Sequence, residues 1–560
     1  MYKVRKFATL LALAGLLSVL AFAPANALPV QAGTSITYNL FATDAFVKMA
    51  DETVVYDYGF VGGRQGKTFI YQTSFSADGS SGGTNATLPA PPAPTGGPLV
   101  GDELTLQGNA QLPAPLIYAS VGDVVEIRLK NLGVTNPTAP NDPHSVHLHG
   151  LDVNVANDGV PETSVGAVPA NLCADGSTAP KGQNCTDLLD PQGNPLQPVP
   201  GAGNVIVYMF SPKFPGTYMY HCHQEADIHV QMGMYGALVV YNPSDAAAAT
   251  GPGMGKGGSL FGWKYDKDVV LLETEMDLRQ HCSEQGTYSN TVGLCTNTGY
   301  ATLPGQTDPT QNQFSAWNPV DYHPQYWFLN GLSFPNTIHV TGGPVVTSFA
   351  DWAAAHPGYD PLIVGSVSTK HSSRSVTDGD KILLRVINLG SETQPLHMHG
   401  YHGKIIGSDQ RAWYWANLAG LNPVGTGMEK NTLTVGSGET YEWLIDIAQQ
   451  KPTSTFQAGT QTRYYDPTNQ ACVTAVAAAG ITNPQPGQPV SNQLTACPQI
   501  PSPDGFPYVG GPTVADTILP PSVQPRTGSQ IFVFHNHDDY KATNNGVYPG
   551  GMFTVIIPTP

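Results

Sequence analysis

The sequence predicts an all-β protein built from two repeated sandwiches, and three observations predict it. Short runs of Val, Ile, Thr and Tyr are separated by turn-forming residues, 61 Gly and 49 Pro in a chain of 560. That is the pattern of strands joined by loops rather than of helices. A segment then recurs: Gly122-Asp123-Val124-Val125-Glu126-Ile127-Arg128-Leu129-Lys130-Asn131-Leu132-Gly133 parallels Gly379-Asp380-Lys381-Ile382-Leu383-Leu384-Arg385-Val386-Ile387-Asn388-Leu389-Gly390. Each copy has a Gly-Asp turn, alternating apolar positions and an Asn-Leu-Gly turn. Finally, each half closes on the same pattern, Tyr218-Met219-Tyr220-His221-Cys222-His223 in one and Phe532-Val533-Phe534-His535-Asn536-His537 in the other, followed by a last strand.

The chain begins with Lys3, Arg5 and Lys6, an apolar run from Phe7 to about Phe22, and the small residues Ala25-Asn26-Ala27. This order reads as a cleaved export signal over 1–27. The run is short of the roughly 20 apolar residues a membrane span needs. Arg5-Lys6 is not a twin arginine, so the general secretory route is expected and the mature protein is periplasmic or extracellular. No later stretch is apolar enough to cross a membrane. A formal charge of −17 with 12% charged residues argues against nucleic acid as a partner, because phosphate binding needs a cationic surface.

The first sandwich is expected over 28–245 and a linker over the Ala/Gly-rich stretch 246–265. The second sandwich fills 266–560, with a long Pro/Gly-rich insertion at about 457–529 that carries no clear periodicity. Seven cysteines sort into three pairs that bracket loops, Cys173/Cys185, Cys282/Cys295 and Cys472/Cys497, each a plausible disulfide in an oxidising compartment. Cys222 is left over, with a histidine on either side.

In a strand, His-x-His puts two imidazoles on one face. One such pair occurs by chance; four at equivalent places of a repeat do not. His147/His149, His221/His223, His397/His399 and His535/His537 use half of the 16 histidines. Imidazole is a favoured copper ligand, and eight of them suffice for three ions held close together. A blue copper site needs two histidines, one thiolate and a weak axial methionine. His144, Cys222, His229 and Met234 supply that set, with Met232 the competing axial residue. Read blandly, Cys222 is a buried thiol and Met234 a core methionine.

Pro143-His144-Ser145-Val146-His147-Leu148-His149-Gly150 and His221-Cys222-His223, with His229 and Gly233-Met234 beyond, resemble the copper motifs of the multicopper oxidases, the laccase group. The resemblance implies tandem cupredoxin-like Greek-key β-sandwiches with long loop insertions, and four copper ions: one type-1, one type-2 and two type-3. By it, His147 and His397 hold the type-2 copper, and His149, His221, His223, His399, His535 and His537 the type-3 pair. Two departures stand out. Typical three-domain laccases carry the cysteine motif near the C-terminus, where this chain has His535-Asn536-His537, and Gln394 stands in the place of a blue-copper histidine. The chain thus looks like two-domain members with the type-1 copper in the first domain, which assemble as rings of three chains. Its His229 also lies seven residues after Cys222, two more than in most laccases.

The implied chemistry is four one-electron oxidations coupled to reduction of dioxygen to water, with Cys222 as entry point and His221 and His223 as its covalent link to the cluster. Phenols or aromatic amines, or Mn(II), Fe(II) or Cu(I), are the expected donors. Asp152, Asp538 and Asp539 are proton-relay candidates, although a carboxylate so placed is more often a solvated surface group. The remaining histidines (His281, His323, His339, His356, His371, His402) could bind a metal-ion substrate, but each reads mainly as structural. A copper nitrite reductase would need one mononuclear catalytic copper and leave the His pairs surplus. A copper-binding resistance protein would favour methionine-rich runs, and the 11 methionines are scattered.

Overall fold

A computed structural model describes residues 33–67, 95–199, 203–252, 257–286, 319–338, 379–413, 428–447, 463–486 and 532–556, with short pieces at 71–72, 83–84, 91–93, 489–491 and 493–497. The expected signal at 1–27, Cys295, His339, His356 and His371, and much of 457–529, lie outside the described residues.

The first half is a two-sheet sandwich. Strands β1 (Ser35–Lys48), β2 (Val54–Arg64), β3 (Ile117–Ser120), β4 (Val124–Gly133), β5 (His147–His149), β6 (Val205–Phe210), β7 (Gly216–His221) and β8 (Tyr235–Tyr241) form sheets of order β2-β1-β4-β6 and β3-β8-β7-β5. The repeated segment supplies β4, which runs parallel to β1. The second half follows the same plan with β9 (Lys267–Met276), β10 (Tyr326–Leu329), β11 (Lys381–Asn388), β12 (Gln394–Met398), β13 (Gly403–Ser408), β14 (Thr432–Val435), β15 (Thr440–Asp446), β16 (Phe532–Asn536) and β17 (Phe553–Ile556). Here β9 runs parallel to β11, and β14-β12-β16-β17 form the facing sheet. The fold is all-β with two sandwiches in tandem, as the repeat predicts.

Period-two alternation explains why β7 and β8 are apolar at nearly every position. Tyr218, Tyr220, Leu238 and Val240 point into the first sandwich, whereas Met219, Ala237, Val239 and Tyr241 pack with Val270, Leu272 and Phe328 of the second half. A sheet buried on both faces needs continuous hydrophobicity, and these strands have it. Polar groups at the junction are paired: the buried Arg385 guanidinium bonds Asp268 at 2.7 Å, and Tyr241 donates to the same carboxylate at 2.8 Å. The halves are therefore one packed body, with the two histidine-bearing sheets fixed relative to each other.

Cys173–Cys185 and Cys472–Cys497 are disulfides as expected, and Cys282 is disulfide-bonded. Two helices bear on later points, α1 (Leu278–Gln285) and α2 (Gln470–Ala478). The latter lies inside the long insertion, whose sequence carries no clear periodicity. Its Asn469 accepts from the Ala471 and Cys472 amides, an N-cap the low periodicity concealed. Among the described residues no helix is long and apolar enough to cross a membrane.

Candidate metal centre

Strand register decides which histidines meet. β5 pairs with β7 so that His147 faces His221, and β12 pairs with β16 so that His397 faces His535. Directly opposed residues share a face of the sheet. His149 and His223 follow on that face, giving ring-centroid distances of 5.6 Å for His147–His149, 5.0 Å for His147–His221 and 5.2 Å for His147–His223. The second half repeats this with 4.8 Å for His397–His399, 5.7 Å for His397–His535 and 5.0 Å for His397–His537. All eight predicted histidines thus gather as two quartets. Among the described residues no ring contact joins one quartet to the other. His399 and His537 are exposed.

Backbone carbonyls set the tautomers. His147 Nδ1 lies 2.7 Å from the Asp158 carbonyl, His221 Nδ1 2.9 Å from that of Cys222, and His535 Nδ1 2.8 Å from that of Asn536. A carbonyl only accepts, so each Nδ1 carries the proton and Nε2 keeps its lone pair for a metal. His399 Nε2 and His535 Nε2 approach to 3.2 Å, two ring nitrogens aimed at one point.

The residue between two such histidines must face the opposite way. Cys222 is fully buried in the first core, where its Sγ lies 3.8 Å from His144 Nδ1 and 3.5 Å from His229 Nδ1. The three ligand atoms lie within 4.8 Å of one another. Separations of this size suit three donors around one ion at bond lengths of roughly 2.0–2.3 Å. Burial pushes the Cys222 thiol up to about 11 and pulls His229 down to about 4, so without an ion the site is neutral. A cation is what would displace the thiol proton. Met234 and Met232 are both buried in this core; Met234 is tied to Cys222 by a 3.0 Å main-chain bond, whereas the Met232 carbonyl bonds Tyr58.

The equivalent place in the second half is filled by hydrogen bonds. Asn536 Nδ2 donates to Gln394 Oε1 at 2.7 Å and meets Met552 Sδ at 3.4 Å, while Gln394 Nε2 donates to Glu275 at 2.8 Å. These side chains satisfy one another, and no thiolate is present to draw a soft ion.

The longer Cys222–His229 spacing has a structural counterpart. The extra residues form a helical turn, Ala226–His229, whose carbonyls face α1 of the second half. Gln280 Nε2 donates to the Ile228 carbonyl at 3.0 Å, and His281 Nε2 lies 3.1 Å from that of Gln231. His281 is thereby structural, as expected. Asp152 stands 4.0 Å from Lys213 and is 57% exposed, and Asp538 pairs with Lys541. Both sit as surface carboxylates. Sequence reasoning missed the Asp158 carbonyl, α1, and Ser145, whose hydroxyl accepts the His223 amide at 3.2 Å. Of these only Ser145 lay inside a quoted motif.

Residues 85–244 match the family model described as "Multicopper oxidase". The chain is 30% identical over 391 residues to multicopper oxidase MmcO of Mycobacterium tuberculosis, covering 69% of this chain and 56% of that protein. It is 23% identical to copper resistance protein A of Pseudomonas syringae pv. tomato over 371 residues, 64% of this chain and 45% of the relative. The chain thus spans about half the length of the curated relatives it matches. A crystal structure of a blue copper oxidase from Nitrosomonas europaea aligns at a TM-score of 0.42 and 16% identity, over 93% of this chain and 85% of that one.

Proposed function

We propose that this chain, whose residues 85–244 are a multicopper oxidase domain, is an exported four-copper oxidase that takes electrons singly from phenols or aromatic amines and passes them to dioxygen. The observation that carries the reading is the position of Cys222. Its thiol faces His144 and His229 in the core, while its neighbours His221 and His223 turn to the histidine quartet on the other side of the sheet. One residue thus links an electron-entry site to an oxygen site through covalent bonds alone.

In this reading His144, Cys222, His229 and Met234 hold the type-1 copper. His147 and His397 hold type-2, and His149, His221, His223, His399, His535 and His537 the type-3 pair. The bound coppers supply the redox chemistry, four electrons and four protons converting one dioxygen to two waters. The chain's own part is to fix geometry. The carbonyls of Asp158, Cys222 and Asn536 orient His147, His221 and His535. α1 holds the His229 turn, and the sealed core keeps water from Cys222, which is fully buried.

Among the described residues no ring contact joins the two quartets of one chain, and the second is open to solvent at His399 and His537. This supports a cluster completed between chains, the first domain of one subunit facing the second domain of the next in a closed ring of three. A nitrite reductase would leave the second quartet without a role.

The test is oxygen consumption by copper-loaded protein with phenols, aromatic amines and reduced metal ions offered in turn. Oxygen uptake at one dioxygen per four electrons is expected. Nitrite reduction without oxygen uptake would overturn the reading.

A further inference from the structure

The loop between His229 and Met234 belongs to the first half but is held by the second. Gln231 lies on that loop, and three residues of the second half bond to it. His281 Nε2 lies 3.1 Å from its carbonyl, Ser391 Oγ accepts from its Nε2 at 2.7 Å, and the Tyr322 hydroxyl donates to its Oε1 at 2.5 Å. Both side-chain partners sit on one buried carboxylate. Glu275 Oε1 accepts from the amides of Ser391 and Glu392 at 2.5 and 3.0 Å and lies 3.3 Å from the Tyr322 hydroxyl. Glu275 Oε2 accepts from Gln394 at 2.8 Å, and Gln394 Oε1 accepts in turn from Asn536, the residue between His535 and His537. A chain of side-chain contacts thus runs from the copper loop of the first half to the filled copper place of the second.

The first half carries a similar carboxylate without the link. Asp44 accepts from the amides of Thr135 and Asn136, after the same Asn-Leu-Gly turn, at 2.8 and 3.0 Å, and from the Tyr56 hydroxyl at 3.0 Å. These partners all belong to its own half. Glu275 clamps its own loop in the same way, but its reach extends to Tyr322 and Gln394. Gly390 packs against this carboxylate where a Cβ would collide with it. An ionised carboxyl accepts and cannot donate, and three N–H groups point at this one, so its position is fixed from several sides.

We propose that Gln231 is a positioning residue of the type-1 copper site, anchored through Ser391 and Tyr322 on Glu275, so that the second half sets the potential of the copper in the first. This rests on the oxidase reading above and adds to it how the entry site is tuned. Met234 follows Gln231 by three residues, and its carbonyl accepts from the Cys222 amide at 3.0 Å. A shift of Gln231 is therefore passed both to the axial thioether and to the strand that carries the thiolate. Axial ligand and exclusion of water each tune a blue copper. A loosened loop admits water, and water favours the more highly charged copper(II).

The experiment is an anaerobic redox titration of the blue colour in copper-loaded native and variant proteins. Gln231→Ala is expected to shift the copper equilibrium about tenfold towards copper(II), which for one electron lowers the potential by about 59 mV. The double variant Tyr322→Phe/Ser391→Ala removes the same two side-chain bonds and is expected to give the same shift. Adding Gln231→Ala to it is expected to change nothing further, because substitutions that break one shared contact do not add. Glu275→Gln sets an amide N–H2 among donors and is expected to move the potential in the same direction. Tyr326→Phe is the control: it removes hydrogen bonds from another tyrosine of the second half to Asp51 and Thr53 of the first, at 2.7 and 3.1 Å, away from the copper loop. It is expected to leave the potential where it is, which separates positioning from a general weakening of the junction. An unshifted potential in blue Gln231→Ala protein, shifts that add, or an equal shift in Tyr326→Phe would overturn the positioning role and leave the oxidase reading standing. A copper-loaded native protein with no blue colour would remove the oxidase reading and this role with it.

Discussion

Cys222→Ser is expected to abolish the blue colour and lower oxidase activity by about a thousandfold or more, on the order of 4 kcal/mol of barrier. A serine hydroxyl is a hard donor that keeps its proton at neutral pH, so it cannot replace a thiolate for copper. The fold should survive, because the exchange is nearly isosteric at a site that is fully buried and tied by its own main chain to Met234. The histidine quartet should also survive. Its members lie on the opposite face of the strand and are oriented by backbone carbonyls rather than by the thiol. The expected result is a colourless protein that retains its cluster copper, measured by absorption and metal analysis beside oxygen uptake. A variant that stayed blue, or turned phenols over normally, would remove Cys222 from the entry site.

Recovery of activity from two inactive chains is the second large effect expected. One variant carries His147→Ala and His149→Ala, the other His397→Ala and His399→Ala; each lacks half of one quartet and should be inactive alone. Unfolded together and refolded with copper, some mixed rings would join an intact first domain to an intact second domain of another chain. Part of the native oxygen uptake is then expected to return. If cluster ligands all came from one chain, every chain would carry a broken cluster and none would return. Clear absence of rescue from well-refolded mixed oligomers would retire the shared cluster.

Much of the fold was legible because the signal is local. The strand period puts His147 beside His149 and turns Cys222 away from His221, and the duplicated Gly-Asp segment announces a second sandwich. Register was not legible. That His147 faces His221 and His397 faces His535 depends on pairing between strands distant in sequence. The sequence reading left Gln394 and Asn536 out of the proposed ligand set without revealing that Asn536 bonds both Gln394 and Met552. The odd spacing before His229 was visible, but its physical reason was not. The carbonyls it presents are met by Gln280 and His281, some fifty residues on, and main-chain acceptors leave no mark in a side-chain pattern.

The most direct test of the central claim is the copper content of the blue, fully loaded protein, measured as metal per chain. One ion held by His144, Cys222 and His229 and three shared among the quartets predict about four coppers per chain, whether the cluster lies within a chain or between chains. About two per chain, one blue and one mononuclear, would contradict the account and leave the second histidine quartet without a metal to hold.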